Sequence, residues 1–384
     1  MRFEFSTAAN IRFGPGTIRE LAALARDFGK RALLVTGANP SRVDPIADLL
    51  KTGGVESVLF SVAGEPGIIT VQDGVAVARE NQCSLVICVG GGSAIDAGKA
   101  IAIMLTNAGD LLDYLEVIGR GQPLRNAGLP CIAVPTTAGT GTEVTRNAVL
   151  ASPEHCVKVS LRSPLMLPRV ALVDPDLTHD LPPRLTASTG LDALTQSIEP
   201  YVSARANPMT DALCLEGIPR IARSLRKAVE NGRDAAARED LALASLFGGL
   251  ALANAGLGAV HGFAAPIGGR FPAPHGAVCA ALLPHVMSAN LRALRERAAQ
   301  HQSLERFETV ARLLTGDCTA SADAGVKWVA RLVSDLHVPP LRSYGIDDSH
   351  VDTVCENASK ASSMKANPIQ LTAAELAQTL RAAI

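Results

Sequence analysis

The chain has 384 residues, 47 % of them hydrophobic, 19 % charged and only 3 % aromatic, with 36 Lys+Arg set against 37 Asp+Glu. A formal net charge of −1 supplies no global basic field to attract nucleic acid or an anionic membrane, and so few aromatics argue against a base-stacking platform. Low charge and a mean hydropathy of +0.20 exclude a disordered chain, and the length is enough for two or three domains with large cores.

From the N-terminus, short β-like runs alternate with helical patterns. Residues 31–36 follow a helix ending near Gly29 and read as a strand, as do 57–61, 84–89, 131–135 and 170–174. Between them the periodicity predicts helices over 41–52, 71–81 and 95–107. Such alternation implies a mostly parallel sheet covered on both faces. After Pro182-Pro183 the β-branched runs vanish. Helices are predicted over 184–202, 210–229, 236–256, 275–299, 304–315, 322–336 and 372–383. The expected division is an α/β domain over residues 1–180 and an all-helical domain over 181–384.

One segment imitates a membrane span. Leu241 to Gly269 contains no Asp, Glu, Lys or Arg, which is long enough to cross a bilayer. It also contains Asn254, His261 and Pro266, and has no second segment like it. A helix buried on all sides in a soluble core is expected, in a cytoplasmic protein without a membrane partner. The eight cysteines, Cys83, Cys88, Cys131, Cys156, Cys214, Cys279, Cys318 and Cys355, are scattered and form no Cys-x-x-Cys pair. They read as structural thiols in a reducing compartment.

Two stretches carry nucleotide chemistry. Gly90-Gly91-Gly92-Ser93 follows a strand and opens a helix, a setting in which backbone N–H groups and the positive helix end meet phosphate. The spacing is neither the Rossmann fingerprint nor a Walker loop, and a tight strand–helix turn is the alternative. Pro135 to Thr145 packs five threonines into an irregular stretch. A pyrophosphate or ribose would use those hydroxyls, and so would local turns. Farther on, Asp192 and Gln196 are four apart on one helix face, and His261 and His275 are separated by Pro266, Pro272 and Pro274. A carboxylate, two imidazoles and an amide oxygen suit a divalent cation. Spacing alone does not group them, since a buried His is more often bonded to nearby backbone.

In order along the chain, Phe13-Gly14-Pro15-Gly16, Gly90–Ser93 with Asp96 and Lys99, Pro135–Thr145, Val173-Asp174-Pro175, Gly190–Leu194, Val260-His261-Gly262, Pro274-His275-Gly276 and Asn367-Pro368 resemble the iron-containing (group III) alcohol dehydrogenase family. The resemblance implies a dinucleotide-binding α/β domain, a helical C-terminal domain and a cleft between them. It implies an NAD(P)-dependent oxidoreductase interconverting a small alcohol and its aldehyde or ketone, with a divalent metal, Fe²⁺ or Zn²⁺, as Lewis acid. Carried over by position, Gly91, Gly92 and Ser93 would hold the pyrophosphate. Thr136, Thr137, Thr140 and Thr142 would line the cofactor, and Lys158 would reach a ribose. Asp192, His261 and His275 match three metal ligands of the family.

The chain departs from the family at three places. Gln196 stands where the fourth ligand, a histidine, is usual, so a site that is looser, shifted in metal preference or empty as purified is expected. Ala265 replaces a histidine expected near the nicotinamide. Gly37 replaces an aspartate that accepts from the ribose 2′-hydroxyl. Followed by Asn39 and Arg42, that glycine favours NADP over NAD. A homodimer is expected from the resemblance. The alternative is a metal-independent NAD(P)H reductase of an activated keto acid, similar to maleylacetate reductase. A lyase resembling dehydroquinate synthase and a nucleotide-binding paralogue without turnover are more remote.

Overall fold

The structure is a computed structural model that describes residues 2–155 and 157–384. Cys156, one of the expected thiols, lies outside the described residues; the other seven cysteines are free. The chain divides into two compact units. One comprises Ser6–Thr137 and Gly141–His179; the other comprises Asp180–Ile384 with Ala138–Thr140 and the first residues up to Phe5.

The first unit is an α/β layer structure. Its strands are β1 (Asn10–Phe13), β2 (Arg31–Thr36), β3 (Glu56–Ser61), β4 (Leu85–Gly90), β5 (Cys131–Pro135), β6 (Asn147–Ser152), β7 (Val157–Arg162) and β8 (Val170–Val173). Its helices are α1 (Leu21–Arg26), α2 (Asp44–Thr52), α3 (Ile68–Glu80), α4 (Gly92–Met104) and the single turn α5 (Leu111–Tyr114). Six strands form one sheet in the order β1-β8-β5-β4-β2-β3, parallel throughout. Side chains of β2 alternate between two cores. Leu33 and Val35 join the core that includes α3 and α4 residues, and Ala32 and Leu34 join the one that includes α1 and α2 residues. All six residues of β4 are buried, as a strand covered on both faces requires.

Three strands were not foreseen. β1 has only four residues and no continuous apolar run. β6 and β7 form an antiparallel hairpin outside the main sheet. In β7, Val157, Val159 and Leu161 alternate with Lys158, Ser160 and Arg162, a period-two signal that a search for continuous β-branched runs passes over.

Strand order places the nucleotide-binding candidates. The chain runs from β2 outward to β3 and then returns to β4 on the other side of β2. The direction of winding therefore reverses between β2 and β4, the point at which open α/β sheets bind ligands beyond the strand C-termini. Thr36 pairs with Val89 at that end, so Gly37 and Gly90–Gly92 lie side by side.

The second unit is helical: α6 (Pro183–Val202), α7 (Pro208–Glu230), α8 (Ala235–Ala255), α9 (Ala259–Arg270), α10 (His275–Arg297), α11 (Ser303–Thr315), α12 (Ala322–Asp335), α13 (Val351–Lys360) and α14 (Ala373–Ala383). Several of its starts carry side-chain N-caps: Asn207 and Thr210 form a capping box on α7, Asp234 caps α8 and Thr372 with Glu375 boxes α14. One core spans the unit, with Leu191, Leu194, Phe263 and Phe307 fully or almost fully buried.

The uncharged run from Leu241 to Gly269 is not one helix. It breaks after Ala255, where Gly256 takes φ 74°, and α8 and α9 diverge by 98°. A left-handed residue is cheap only for glycine and ends the helix there. His261 therefore sits in the first turn of α9, not near the end of a longer helix. Among the described residues α10 alone is a single straight helix long and apolar enough to cross a membrane, and 83 % of its most apolar window is buried inside the fold. That burial is what a core helix gives.

Candidate metal and nucleotide sites

α6 presents Asp192, Gln196 and Glu199 at spacings of four and three, which places them along one face. All three are buried. α9 is tied to that face at its first turn. The N–H of Ala259 donates to Asn367 Oδ1 at 3.1 Å, and the N–H of Val260 donates to Glu199 Oε1 at 2.7 Å. These side chains satisfy amides that a helix start leaves without partners. The next residue is His261, whose Nδ1 lies 2.7 Å from Glu199 Oε2. A carboxylate only accepts, so Nδ1 carries a proton and Nε2 is left as the atom that can ligate an ion.

α10 closes the group. A Cβ on Gly276 would come within 2.4 Å of the Ser188 carbonyl oxygen and 3.5 Å of Asp192 Cβ, so only glycine lets this helix start rest on α6. His275 is its first residue and Cys279 lies one turn on. His261 Nε2 and His275 Nε2 stand 3.5 and 3.7 Å from Asp192 Oδ1. Cys279 Sγ stands 3.9 and 3.7 Å from the same two nitrogens. The four donor atoms all lie within 4.8 Å of one another. His275 is the only partly exposed member, at 37 % of its side chain, so solvent and small molecules reach the group from its side.

The electrostatics favour a cation. Burial alone would raise the Asp192 carboxyl, but His275 and His261 outweigh it and hold it below the ordinary carboxylate value. Burial disfavours a charged His261, yet Cys279, Asp192 and Glu199 together push that imidazole well above its usual value. His275 is raised as well, chiefly by Cys279. A pocket whose potential would hold protons on two imidazoles is one that a divalent ion can occupy in their place.

Hydrogen bonding gives the same answer. Among the described residues, Asp192 Oδ1 and Gln196 Oε1 are buried without a hydrogen-bond partner, a costly state in a folded core. Gln196 Nε2 donates to the other carboxylate oxygen, Asp192 Oδ2, at 3.0 Å. The residues therefore fit a resident cation: an orphaned carboxylate oxygen faces two imidazoles and a thiol.

Glu199 gives a test of this support. Glu199→Gln is expected to keep the Val260 contact through its amide oxygen and to offer an N–H to His261 Nδ1. That contact moves the imidazole proton to Nε2 and blocks the lone pair. Metal affinity should fall about 10–100-fold, the usual cost of losing such a partner, with little change in thermal midpoint. Unchanged affinity by metal titration would show that Glu199 does not set the tautomer.

The nucleotide candidates are placed as follows. α4 begins at Gly92 without a side-chain cap, so the N–H groups of Gly92 and Ser93 point beyond the sheet with no side chain to meet them. Gly91 faces Thr137, 3.2 Å from where a Cβ would stand, and a Cβ on Gly90 would lie 3.5 Å from the Gly37 nitrogen. The Thr136 N–H donates to the Gly90 carbonyl at 2.9 Å. Gly37, Gly91, Gly92, Ser93, Thr136 and Thr137 thus converge at the C-terminal ends of β2, β4 and β5. Asn39 and Arg42 lie exposed on the turn after Gly37, where the Asn39 side-chain oxygen accepts from the Ser41 hydroxyl at 2.8 Å.

Thr142 and Lys158 are already paired within the protein, and Thr140 lies apart from the other candidates. Thr142 is buried, and its hydroxyl accepts from Lys99 Nζ at 2.7 Å and donates to Asp96. Lys158, on β7, is paired with Glu65 at 2.5 Å. Thr140 belongs to the short stretch in the helical unit, next to Gly139, whose Cβ position would meet Thr189 at 2.7 Å.

Family comparison decides the class. The family model for iron-containing alcohol dehydrogenase matches residues 8–175, and the model for the C-terminal part of the same family matches residues 186–384. The chain belongs to the iron-containing alcohol dehydrogenase family. As a member it is an alcohol dehydrogenase, an oxidoreductase acting on alcohols. It is 40 % identical over 379 residues to 1,3-propanediol dehydrogenase of Klebsiella pneumoniae, spanning 97 % of this chain and 96 % of that one. It is 33 % identical over 377 residues to the NAD-dependent methanol dehydrogenase of Bacillus methanolicus, spanning 97 % of each. A crystal structure of 1,3-propanediol oxidoreductase superposes with a TM-score of 0.93 at 38 % identity, covering both chains completely.

Against this family background, two site residues escaped the sequence reading. Cys279 sits in the apolar run Val278–Leu283 and reads there as a small hydrophobe. Its spacing of four from His275 is the same-face rule that paired Asp192 with Gln196. Glu199 lies seven residues after Asp192, two helical turns along the same face.

Proposed function

We propose that this alcohol dehydrogenase interconverts a small primary alcohol and its aldehyde, with a divalent cation held by Asp192, His261 and His275. The observation that carries the reading is the orphaned Asp192 Oδ1 between two imidazoles. A bound cation supplies Lewis acidity toward a substrate oxygen, and the nucleotide supplies the hydride carrier. Asp192 brings the negative charge, Glu199 fixes His261, and the part-exposed His275 marks the side open to substrate. Gln196 positions Asp192 through its amide nitrogen. Ala265 has no titratable atom, so no proton moves through residue 265. The metal-free keto-acid reductase is the weaker reading, because it leaves that carboxylate oxygen without a partner.

On the nucleotide side, Gly92 and Ser93 would donate backbone N–H groups to the pyrophosphate, with Gly91, Thr136 and Thr137 shaping its path. NADP is the proposed carrier, since Gly37 places no carboxylate against a 2′-phosphate and Arg42 follows on the same turn. A Cβ at Gly37 would meet nothing within 4 Å, so this position accepts a side chain. Gly37→Asp is expected to shift the NADP/NAD ratio of kcat/KM toward NAD by roughly 10–100-fold, the effect of one or two charge-assisted contacts. Arg42→Ala should weaken NADP alone. A ratio unmoved by either change would remove the basis for NADP.

The activity is tested by following nicotinamide absorbance with primary alcohols, diols and aldehydes of two to six carbons, beside keto acids. Turnover of alcohols and aldehydes supports the proposal. Turnover of keto acids alone would overturn it.

A further inference from the structure

We infer that Cys279, as a thiolate, is the fourth protein ligand of the cation, completing a set with Asp192, His261 and His275 that is suited to Zn²⁺ over Fe²⁺. The inference rests on the metal reading above and adds the identity of the remaining donor and of the metal.

The geometry leads to it. A tetrahedral Zn²⁺ with bonds of about 2.1 Å to nitrogen or oxygen and about 2.3 Å to sulfur holds its ligand atoms about 3.4–3.6 Å apart. The separations are 3.5 and 3.7 Å between the imidazoles and Asp192, and 3.7 and 3.9 Å between Cys279 and the imidazoles. These four lie near the edges of such a tetrahedron, and a substrate oxygen would enter as a fifth ligand, the expansion that catalytic zinc sites allow. Cys279 is fully buried, and its sulfur contacts both Nε2 atoms. The placement is fixed by the helix that carries His275.

Gln196, which stands where the family's fourth ligand is usual, holds a different position in this chain. Its amide nitrogen bonds Asp192 Oδ2, while the imidazoles approach Oδ1. It therefore acts on the cluster through Asp192. Thiolate is a soft donor that favours Zn²⁺ over the harder divalent ions. Binding forms a metal–sulfur bond and releases the thiol proton to solvent.

The test loads metal-free full-length protein with Co²⁺ alone, without thiol reductant, and records its absorption spectrum. One bound Co²⁺ per chain is expected, with an intense near-ultraviolet sulfur-to-cobalt charge-transfer band. Cys279→Ser should lose that band, retain the weaker visible ligand-field bands and bind Zn²⁺ more than about 100-fold less tightly, beyond the 10–100-fold of a lost supporting partner. Gln196→Ala should keep the band. Zinc-edge X-ray absorption on the unaltered protein needs no variant and should show one sulfur at about 2.3 Å. Stoichiometric Co²⁺ without the band, or zinc without a sulfur neighbour, overturns the Cys279 assignment and leaves the metal reading standing. Failure to bind either ion overturns both.

Discussion

Asp192→Asn is expected to lower kcat/KM for aldehyde reduction by roughly 10³-fold or more, the several kcal/mol that Lewis-acid activation contributes. Bound metal should fall from one per chain to a trace. The substitution keeps shape and volume, and the asparagine oxygen can still accept from Gln196 Nε2. What it removes is the anionic oxygen that lies 3.5 and 3.7 Å from the two imidazoles. In the metal-free state the variant should be less stable than the parent at neutral pH, since the two imidazoles hold the Asp192 carboxyl below its ordinary value and so favour its charge in the folded chain. Loss of activity together with loss of metal, in protein that still unfolds cooperatively, is the expected combination. Activity lost with metal retained would instead place Asp192 in a role other than ligation.

The second large effect lies in the α/β unit. Lys99 is 1 % exposed. Its ammonium donates to the Thr142 carbonyl and hydroxyl at 2.8 and 2.7 Å and to the Thr145 hydroxyl at 3.0 Å. It also lies 3.4 Å from Asp96, whose second oxygen accepts from the Val149 N–H at 3.0 Å. One cation thus ties α4 to the turn after Gly141 and to β6. Lys99→Met fills the volume but leaves the Thr142 and Thr145 oxygens without their donor and Asp96 without its cation. The expected cost is about 3–5 kcal/mol, as for other buried pairs that lose one partner, seen as a lower urea midpoint for this unit.

The deficit should widen with pH. Burial pushes Glu143 up to about 7 from 4.5, and Lys99 works against that push. A carboxyl raised in the folded state holds its proton there more tightly than in the unfolded chain. Its contribution to stability is therefore full below about pH 4.5 and declines as pH rises through 7. Without Lys99 the folded-state value rises further and the decline continues to higher pH, so the gap between variant and parent should be larger at pH 8 than at pH 5. A midpoint unchanged at both pH values would show that the Lys99 network adds nothing to stability.

Much of this arrangement is legible in the sequence because the underlying signals are local. The alternation of β-branched runs with helices, ending at Pro182-Pro183, requires a parallel sheet followed by helices, and the sheet order then places Gly37 beside Gly90. Asp192, His261 and His275 stand in strings that resemble a known family. What stayed hidden depends on long-range approach. The alternation in Val157–Arg162 has a partner only because β6 folds back on it. The break at Gly256 is a matter of φ, which a run of Ala and Gly does not display. Cys279 is apolar by context and a ligand candidate only once α10 is seen resting on α6 through Gly276. Thr142 shows the converse: a hydroxyl in a nucleotide-like stretch is committed to Lys99 and Asp96, because a buried ammonium takes the nearest oxygens.

The central claim is that alcohol chemistry here depends on one divalent cation at Asp192, His261 and His275. Metal content of freshly purified, unchelated protein, measured beside nicotinamide-dependent aldehyde reduction before and after chelation, tests it most directly. The expected result is close to one divalent ion per chain, with activity that disappears on chelation and returns with Zn²⁺ or Fe²⁺. Full activity in protein shown to contain no metal would contradict the claim.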